Sequence, residues 1–102
     1  MRKELELYEI LFLIYPNLTD KEVLEKIQFY QDFLAQKGSK VIVKNLGCRS
    51  LSYPIKKFES ANFVQLLCLG NGSLIKVFNS EVGRDESVLR HIVTKPAQAV
   101  FN

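Results

Sequence analysis

From Leu5 to Tyr15 the chain first alternates, Glu4-Leu5-Glu6-Leu7, and then becomes continuously apolar through Ile10-Leu11-Phe12-Leu13-Ile14. Alternation marks a strand with one wetted face, and an unbroken apolar run marks one covered on both, so this segment predicts a central strand. Pro16-Asn17 ends it. In Thr19-Asp20-Lys21-Glu22 the threonine hydroxyl is placed to accept from the Glu22 amide, while Leu18 and Val23 occupy the two positions of a hydrophobic staple. Both are helix-start signals. Val23, Ile27, Tyr30 and Leu34 then recur as one apolar stripe, and Gly38 stands where a left-handed C-terminal cap is wanted, so the helix runs to about Lys37.

Lys40 to Ile55 alternates again, through Val41, Val43, Arg49, Leu51 and Tyr53, with Gly47 where a strand would bulge. Pro54 cannot donate to a ladder, which puts this strand at an edge. Lys56 to Asn62 is polar enough to turn the chain, and Phe63 to Leu69 is a second central strand, antiparallel to the one before. Asn71-Gly72-Ser73 offers cap residues for a second helix, with Leu74, Val77 or Phe78, and Val82 on its inner face and its end near Gly83. Its Ile, Val, Phe, Asn and Ser residues are mediocre helix formers, so packing must hold it. A last strand, roughly Val88 to Thr94, precedes Pro96 and a short tail. The order β-α-β-β-α-β is the ferredoxin-like split sandwich of class α+β, a four-stranded antiparallel sheet with two helices on one face. Right-handed crossovers place the first and third strands in its middle, matching the two apolar runs.

The 102 residues, 47% apolar and 25% charged, suffice for one core. The reading is a single domain over residues 1–102, with its core at about 5–95 and a short tail at 96–102. No run approaches the roughly 18 apolar residues of a membrane helix, and Met1-Arg2-Lys3-Glu4 lacks the apolar core of a signal peptide. That predicts a protein made where it works, or in an organelle with its own genes, and no membrane partner. Cys48 and Cys68 form neither a disulfide framework nor a zinc site, and are expected as free thiols in a reducing compartment. A net charge of +3 decides nothing by itself, but its distribution is uneven. No acid stands between Asp32 and Glu59, where Lys37, Lys40, Lys44, Arg49, Lys56 and Lys57 do. Arg84, Arg90, His91 and Lys95 form a second basic group, diluted by Asp85 and Glu86, which are expected to be solvated and paired with Arg84 and Arg90. Phosphate binding and plain solvation both account for such runs.

Enzyme motifs fail one after another. His91 has no nucleophile at motif spacing, and Gly70-Asn71-Gly72-Ser73 lacks the lysine of a phosphate-binding loop. Tyr15-Pro16-Asn17-Leu18-Thr19 carries no arginine of the acylphosphatase type, and no closely spaced cysteines offer a cluster or copper site. Ser60-Ala61-Asn62-Phe63-Val64 keeps only the end of an RNA-recognition signature. No catalytic residue, cofactor, metal or small-molecule substrate is expected.

Three stretches resemble one family within this fold. Tyr8-Glu9 opens the first strand and Pro16-Asn17-Leu18 leads into the helix; Leu46-Gly47-Cys48-Arg49-Ser50-Leu51-Ser52-Tyr53-Pro54-Ile55-Lys56 is similar to the family's Gly-x-Arg-x-Leu-x-Tyr-Pro-Ile segment; and Arg84 to Lys95 resembles its acidic turn, Val-Leu-Arg and closing strand. The family is the bacterial and plastid small-subunit ribosomal protein six. The resemblance implies a structural component of the small subunit, in a bacterial cytoplasm or a plastid stroma. It would bind the central domain of small-subunit (16S) ribosomal RNA together with ribosomal protein eighteen. Arg90 and Lys95 on the last strand, with Arg2 and Lys3 at the start of the first and His91 as a further contact, would then make one RNA-facing edge if the two strands pair. Arg49, Leu51, Tyr53 and Ile55 alternate onto one face of the second strand and would meet the partner protein, although Leu51 and Tyr53 read equally well as core beneath a helix. The competing reading is a ferredoxin-like small-molecule sensor or oligomerisation domain, whose edge strand at Lys40 to Ile55 pairs with another copy.

Overall fold

The computed structural model describes residues 6–95. Its elements are β1 (Glu6–Ile14), α1 (Asp20–Gln36), β2 (Val41–Ile55), β3 (Phe58–Gly70), α2 (Gly72–Gly83) and β4 (Val88–Thr94). The strands form one antiparallel sheet in the order β2-β3-β1-β4, so the two most continuously apolar segments lie inside and the Pro54-bearing strand lies at an edge.

Directly opposed residues in a ladder point to the same side, so the register assigns every strand residue to a face. Val43, Leu66, Ile10 and Val93 make one row across the sheet, and Asn45, Val64, Phe12 and His91 the next. Both helices cover this side. Val23, Ile27, Tyr30 and Leu34 of α1 and Ile75, Phe78 and Val82 of α2 join Tyr8, Ile10, Phe12, Ile14, Val64, Leu66 and Cys68 in one buried cluster. At its centre the Phe12 ring stacks on Tyr30 at 5.2 Å and meets the edge of Phe78 at 6.0 Å. Burying each such side chain contributes roughly 1.5–3 kcal/mol, which makes this layer the main source of stability.

Local signals act as the sequence predicts. Thr19 Oγ1 accepts from the Glu22 amide at 3.2 Å and the Glu22 carboxylate accepts from the Thr19 amide at 2.8 Å, a complete capping box. At the other end of α1 the amides of Gly38 and Ser39 donate to the carbonyls of Ala35 and Leu34, a Schellman closure that needs the positive φ of Gly38, +88°. In α2, Asn71 caps the Leu74 amide, and of the two candidates for the inner face Phe78 is buried while Val77 is exposed. Gly47, at φ +83°, sits where the β2–β3 register skips a residue, the expected bulge.

The turn between β2 and β3 differs from expectation. It is not the segment Lys56 to Asn62 but Lys56 and Lys57 alone, at φ +49° and +74°, and β3 begins at Phe58. A two-residue hairpin turn of type I′ needs both central residues left-handed and is usually signalled by Asn-Gly. Two lysines give no such signal. The result is a hairpin that overhangs β1, because β1 pairs with β3 only as far as Asn62.

Candidate RNA and protein interfaces

Among the described residues no helix lies on the other side of the sheet. Its rows run Ile42, Leu67, Glu9, Thr94 and then Lys44, Gln65, Leu11, Ile92, with Phe63, Leu13 and Arg90 beyond them. Toward the overhanging hairpin, Leu13, Ala61 and Leu89 form a small buried cluster against which Leu11, Tyr15, Leu51, Ile55, Phe58 and Phe63 pack. Leu51 and Ile55 are therefore partly buried, but on the side away from the helices. Arg49, Leu51, Tyr53 and Ile55, together with Ser50, Ser52 and Phe63, line one shallow groove of about 420 Å³, and Tyr53 remains 68% exposed. The alternation that places these four residues together was visible in the sequence. Phe63 was not, because only the register of β2 on β3 brings it there.

The expected basic edge is more dispersed. Arg90 lies opposite Leu13 and is exposed, whereas His91 falls in the Phe12 row on the opposite, helix-covered side, 3.3 Å from Asn79 Oδ1 of α2. Neighbours in a strand point to opposite faces, so the two side chains leave the β4 edge on opposite sides of the sheet. Burial also lowers the His91 pKa, which leaves the ring neutral near pH 7. Lys95 lies at the far end of β4, where it pairs with Glu6 at 3.0 Å and sits 5.8 Å from the centre of the Tyr8 ring. Hydrogen bonding and charge in that pair raise the Lys95 pKa and lower that of Glu6. Arg2 and Lys3 lie outside the described residues. Of the predicted contacts, Arg90 is the one the structure presents to solvent beside the uncovered face.

Asp85 also departs from expectation. It is not solvated and paired with arginine: its side chain is 11% exposed, 3.1 Å from Lys26 Nζ, and accepts from the Tyr30 hydroxyl at 2.6 Å and the Ser87 hydroxyl at 2.6 Å. Burial pushes its pKa up, but the bonds from Ser87, Tyr30 and Lys26 outweigh that and hold it at about 2. The same burial and bond raise the Tyr30 pKa. Arg84 instead reaches Glu81, at 4.0 Å. This polar knot ties α1 to the turn before β4 and is structural. Among the described residues no group of His, Cys, Asp and Glu side chains could hold a metal ion. Cys48 is exposed, and Cys68 is buried with its thiol pKa pushed up by desolvation.

The described residues form a ferredoxin-like sandwich with one partly apolar sheet face uncovered beside a hairpin rich in lysine and arginine. The sequence profile of the ribosomal protein S6 family matches residues 7–95. The small ribosomal subunit protein bS6c of Guillardia theta is 36% identical over 92 residues, covering 89% of this chain and 96% of its own. The bS6c protein of Porphyra purpurea is 33% identical, with 90% and 83% covered, and the bS6 protein of Rippkaea orientalis 32%, with 93% and 77% covered. The crystal structure of 30S ribosomal protein S6 from Thermotoga maritima shares the fold, with a TM-score of 0.84 over 91% of this chain and 88% of that one at 21% identity. The chain belongs to the ribosomal protein S6 family. It is a non-enzymatic protein of the small ribosomal subunit, at work on the ribosome of a bacterial cytoplasm or a plastid.

Proposed function

We propose that the chain binds the central domain of small-subunit ribosomal RNA jointly with ribosomal protein eighteen, and that the uncovered side of the β2–β3 hairpin is its protein-binding part. The observation that carries this reading is the row of Arg49, Leu51, Tyr53 and Ile55, which holds an exposed aromatic ring beside a groove on a face no helix covers. Exposed aromatic and aliphatic side chains with an arginine at the rim are the usual composition of a protein-binding centre.

For RNA, Arg90 is the leading contact, with Arg2, Lys3 and Lys95 as the remaining basic candidates and His91 at most a neutral one. Lys44, Arg49, Lys56 and Lys57 add charge along the acid-free second strand and its turn. Folded RNA is recognised mostly through backbone and shape, which asks for placed cations and no reaction centre. A charge of +3 suits a protein that grips RNA weakly alone and more firmly beside a basic partner.

The test is binding to a central-domain RNA fragment at two salt concentrations, with and without ribosomal protein eighteen. Salt-sensitive binding strengthened by the partner is expected, and Arg90→Ala should weaken it and lower the salt slope by about one contact, roughly 0.9. Absence of binding under every condition would refute the proposal. Loss of folding in Arg90→Ala would make that residue structural.

A further inference from the structure

The helix layer has a groove of its own, about 490 Å³, between α1 and the end of α2. Phe29 and Lys26 stand on its α1 side above buried Tyr30, Glu81 and Arg84 on the other, with Asp85 and Glu86 at its end. The Phe29 ring meets Tyr30 edge-on at 5.2 Å and is still 49% exposed. One turn along each helix the apolar character continues in Phe33, partly buried against the core, and in Val77, which is exposed. Residues 20–37 and 72–86, which make up this layer, hold seven of the chain's eleven acids against five of its fourteen bases, a balance of −2 in a chain of +3. Two of those bases belong to the groove and are already paired there, Lys26 with Asp85 at 3.1 Å and Arg84 with Glu81 at 4.0 Å. Of the others, Lys37 lies over the Phe33 ring at 5.4 Å, Lys21 is one turn from Glu25, and Lys76 adjoins Val77. Glu25 and Asp32 stand four residues before and three after Phe29, the spacing that puts them beside it on the helix surface. With Glu86 they give the ring three exposed carboxylate neighbours, none of which enters an ion pair among the described residues.

We propose that this groove takes an arginine-rich protein segment, with one guanidinium stacked on the Phe29 ring and neighbouring ones paired with Glu25, Asp32 and Glu86. Arginine combines an apolar stem and a flat cation that can lie on an aromatic face while its N–H groups donate to carboxylates around it. Charge decides among occupants. The groove's own two bases are already neutralised by Asp85 and Glu81, so the carboxylates left over set its sign. RNA phosphates would meet that negative balance, a second copy presenting the same surface would bring the same sign, and a purely apolar segment would cover three unpaired carboxylates. The groove lies on the opposite side of the sheet from the hairpin row. It therefore needs no part of the reading above and can be filled while that row is engaged.

The test titrates the isotope-labelled full chain with capped penta-arginine, penta-lysine and penta-glutamate peptides and follows the backbone amides by NMR. Penta-arginine should give saturable shifts centred on Glu25, Phe29, Asp32, Glu81 and Glu86, weakened by added salt, and penta-glutamate none. Penta-lysine should bind about threefold more weakly than penta-arginine. Phe29→Ser should weaken penta-arginine binding by about threefold, and the double variant Asp32→Asn with Glu86→Gln by about threefold to tenfold. Urea midpoints serve as fold controls, and the double variant, at two exposed positions, keeps the test decisive if Phe29→Ser loses stability. No saturable shift, shifts centred elsewhere, equal binding of penta-lysine, or wild-type affinity in the double variant would each overturn the proposal. So would movement of these same amides by the central-domain RNA fragment, which would give the groove to RNA. A wild-type dimer in sedimentation that Phe29→Ser dissociates would give it to a second copy and overturn the proposal equally.

Discussion

The two sides of the one sheet are built from the same strands and do opposite work. On the helix side Ile10, Phe12 and Leu66 are sealed between sheet and helices; one residue along, Leu11, Leu67 and Glu9 face outward, half-buried, with no helix of the described residues over them. A strand wetted on one side would alternate apolar with polar, yet β1 is apolar on both. Stability requires only one covered face, and among the described residues no helix covers the apolar side chains of the other. The lesson is that a continuous apolar run in a small two-layer protein reports a binding surface as readily as a second helix layer.

Substitutions on each side should separate these roles. Phe12→Ala empties the ring cluster shared with Tyr30 and Phe78 and should cost about 3–5 kcal/mol in urea unfolding, enough to unfold much of a small domain. Next comes Asp85→Asn, which weakens the tie between α1 and the β4 turn. The folded pKa of Asp85, about 2, lies below its ordinary 3.8, so the tie contributes above that ordinary value and is lost as pH falls through the folded one. The wild-type chain should lose about 2 kcal/mol across this window, and Asp85→Asn should lack that part of the slope. Smaller and opposite in sign, Lys57→Gly relieves a left-handed residue in the hairpin turn and should raise stability by about 1 kcal/mol in the same assay. The smallest effect on folding belongs to Tyr53→Ser, within about 0.5 kcal/mol of wild type, although it should weaken partner binding by about tenfold. If Tyr53→Ser proved as destabilising as Phe12→Ala, the division between the faces would not hold.

Much of this was legible in the sequence because it depends on short-range chemistry. The capping box at Thr19, the Schellman closure at Gly38 and the bulge at Gly47 each lie within a few residues of their signals, and the order of apolar runs sufficed for the strand order. What escaped depends on contacts distant in sequence or on conformations without a composition mark. The two-lysine turn looks like loop, so β3 seemed shorter than it is. Asp85 and Glu86 look alike as neighbours, and only the packing of α1 against the turn buries one of them beside Tyr30 and Lys26. The basic group at Arg90, His91 and Lys95 is more spread out than its closeness in sequence suggests: adjacent strand residues alternate sides, and five residues of strand put Lys95 about 16 Å from Arg90.

The most direct measurement is methyl NMR of the isoleucine-labelled chain, alone and then with ribosomal protein eighteen and the RNA fragment. Shifts and broadening should concentrate at Ile42, Ile55 and Ile92 on the uncovered side, with Ile10, Ile27 and Ile75 beneath the helices nearly unmoved. Perturbation confined to Ile27 and Ile75 would contradict the account, since the partner would then be docking on the helices and the bare face would remain bare.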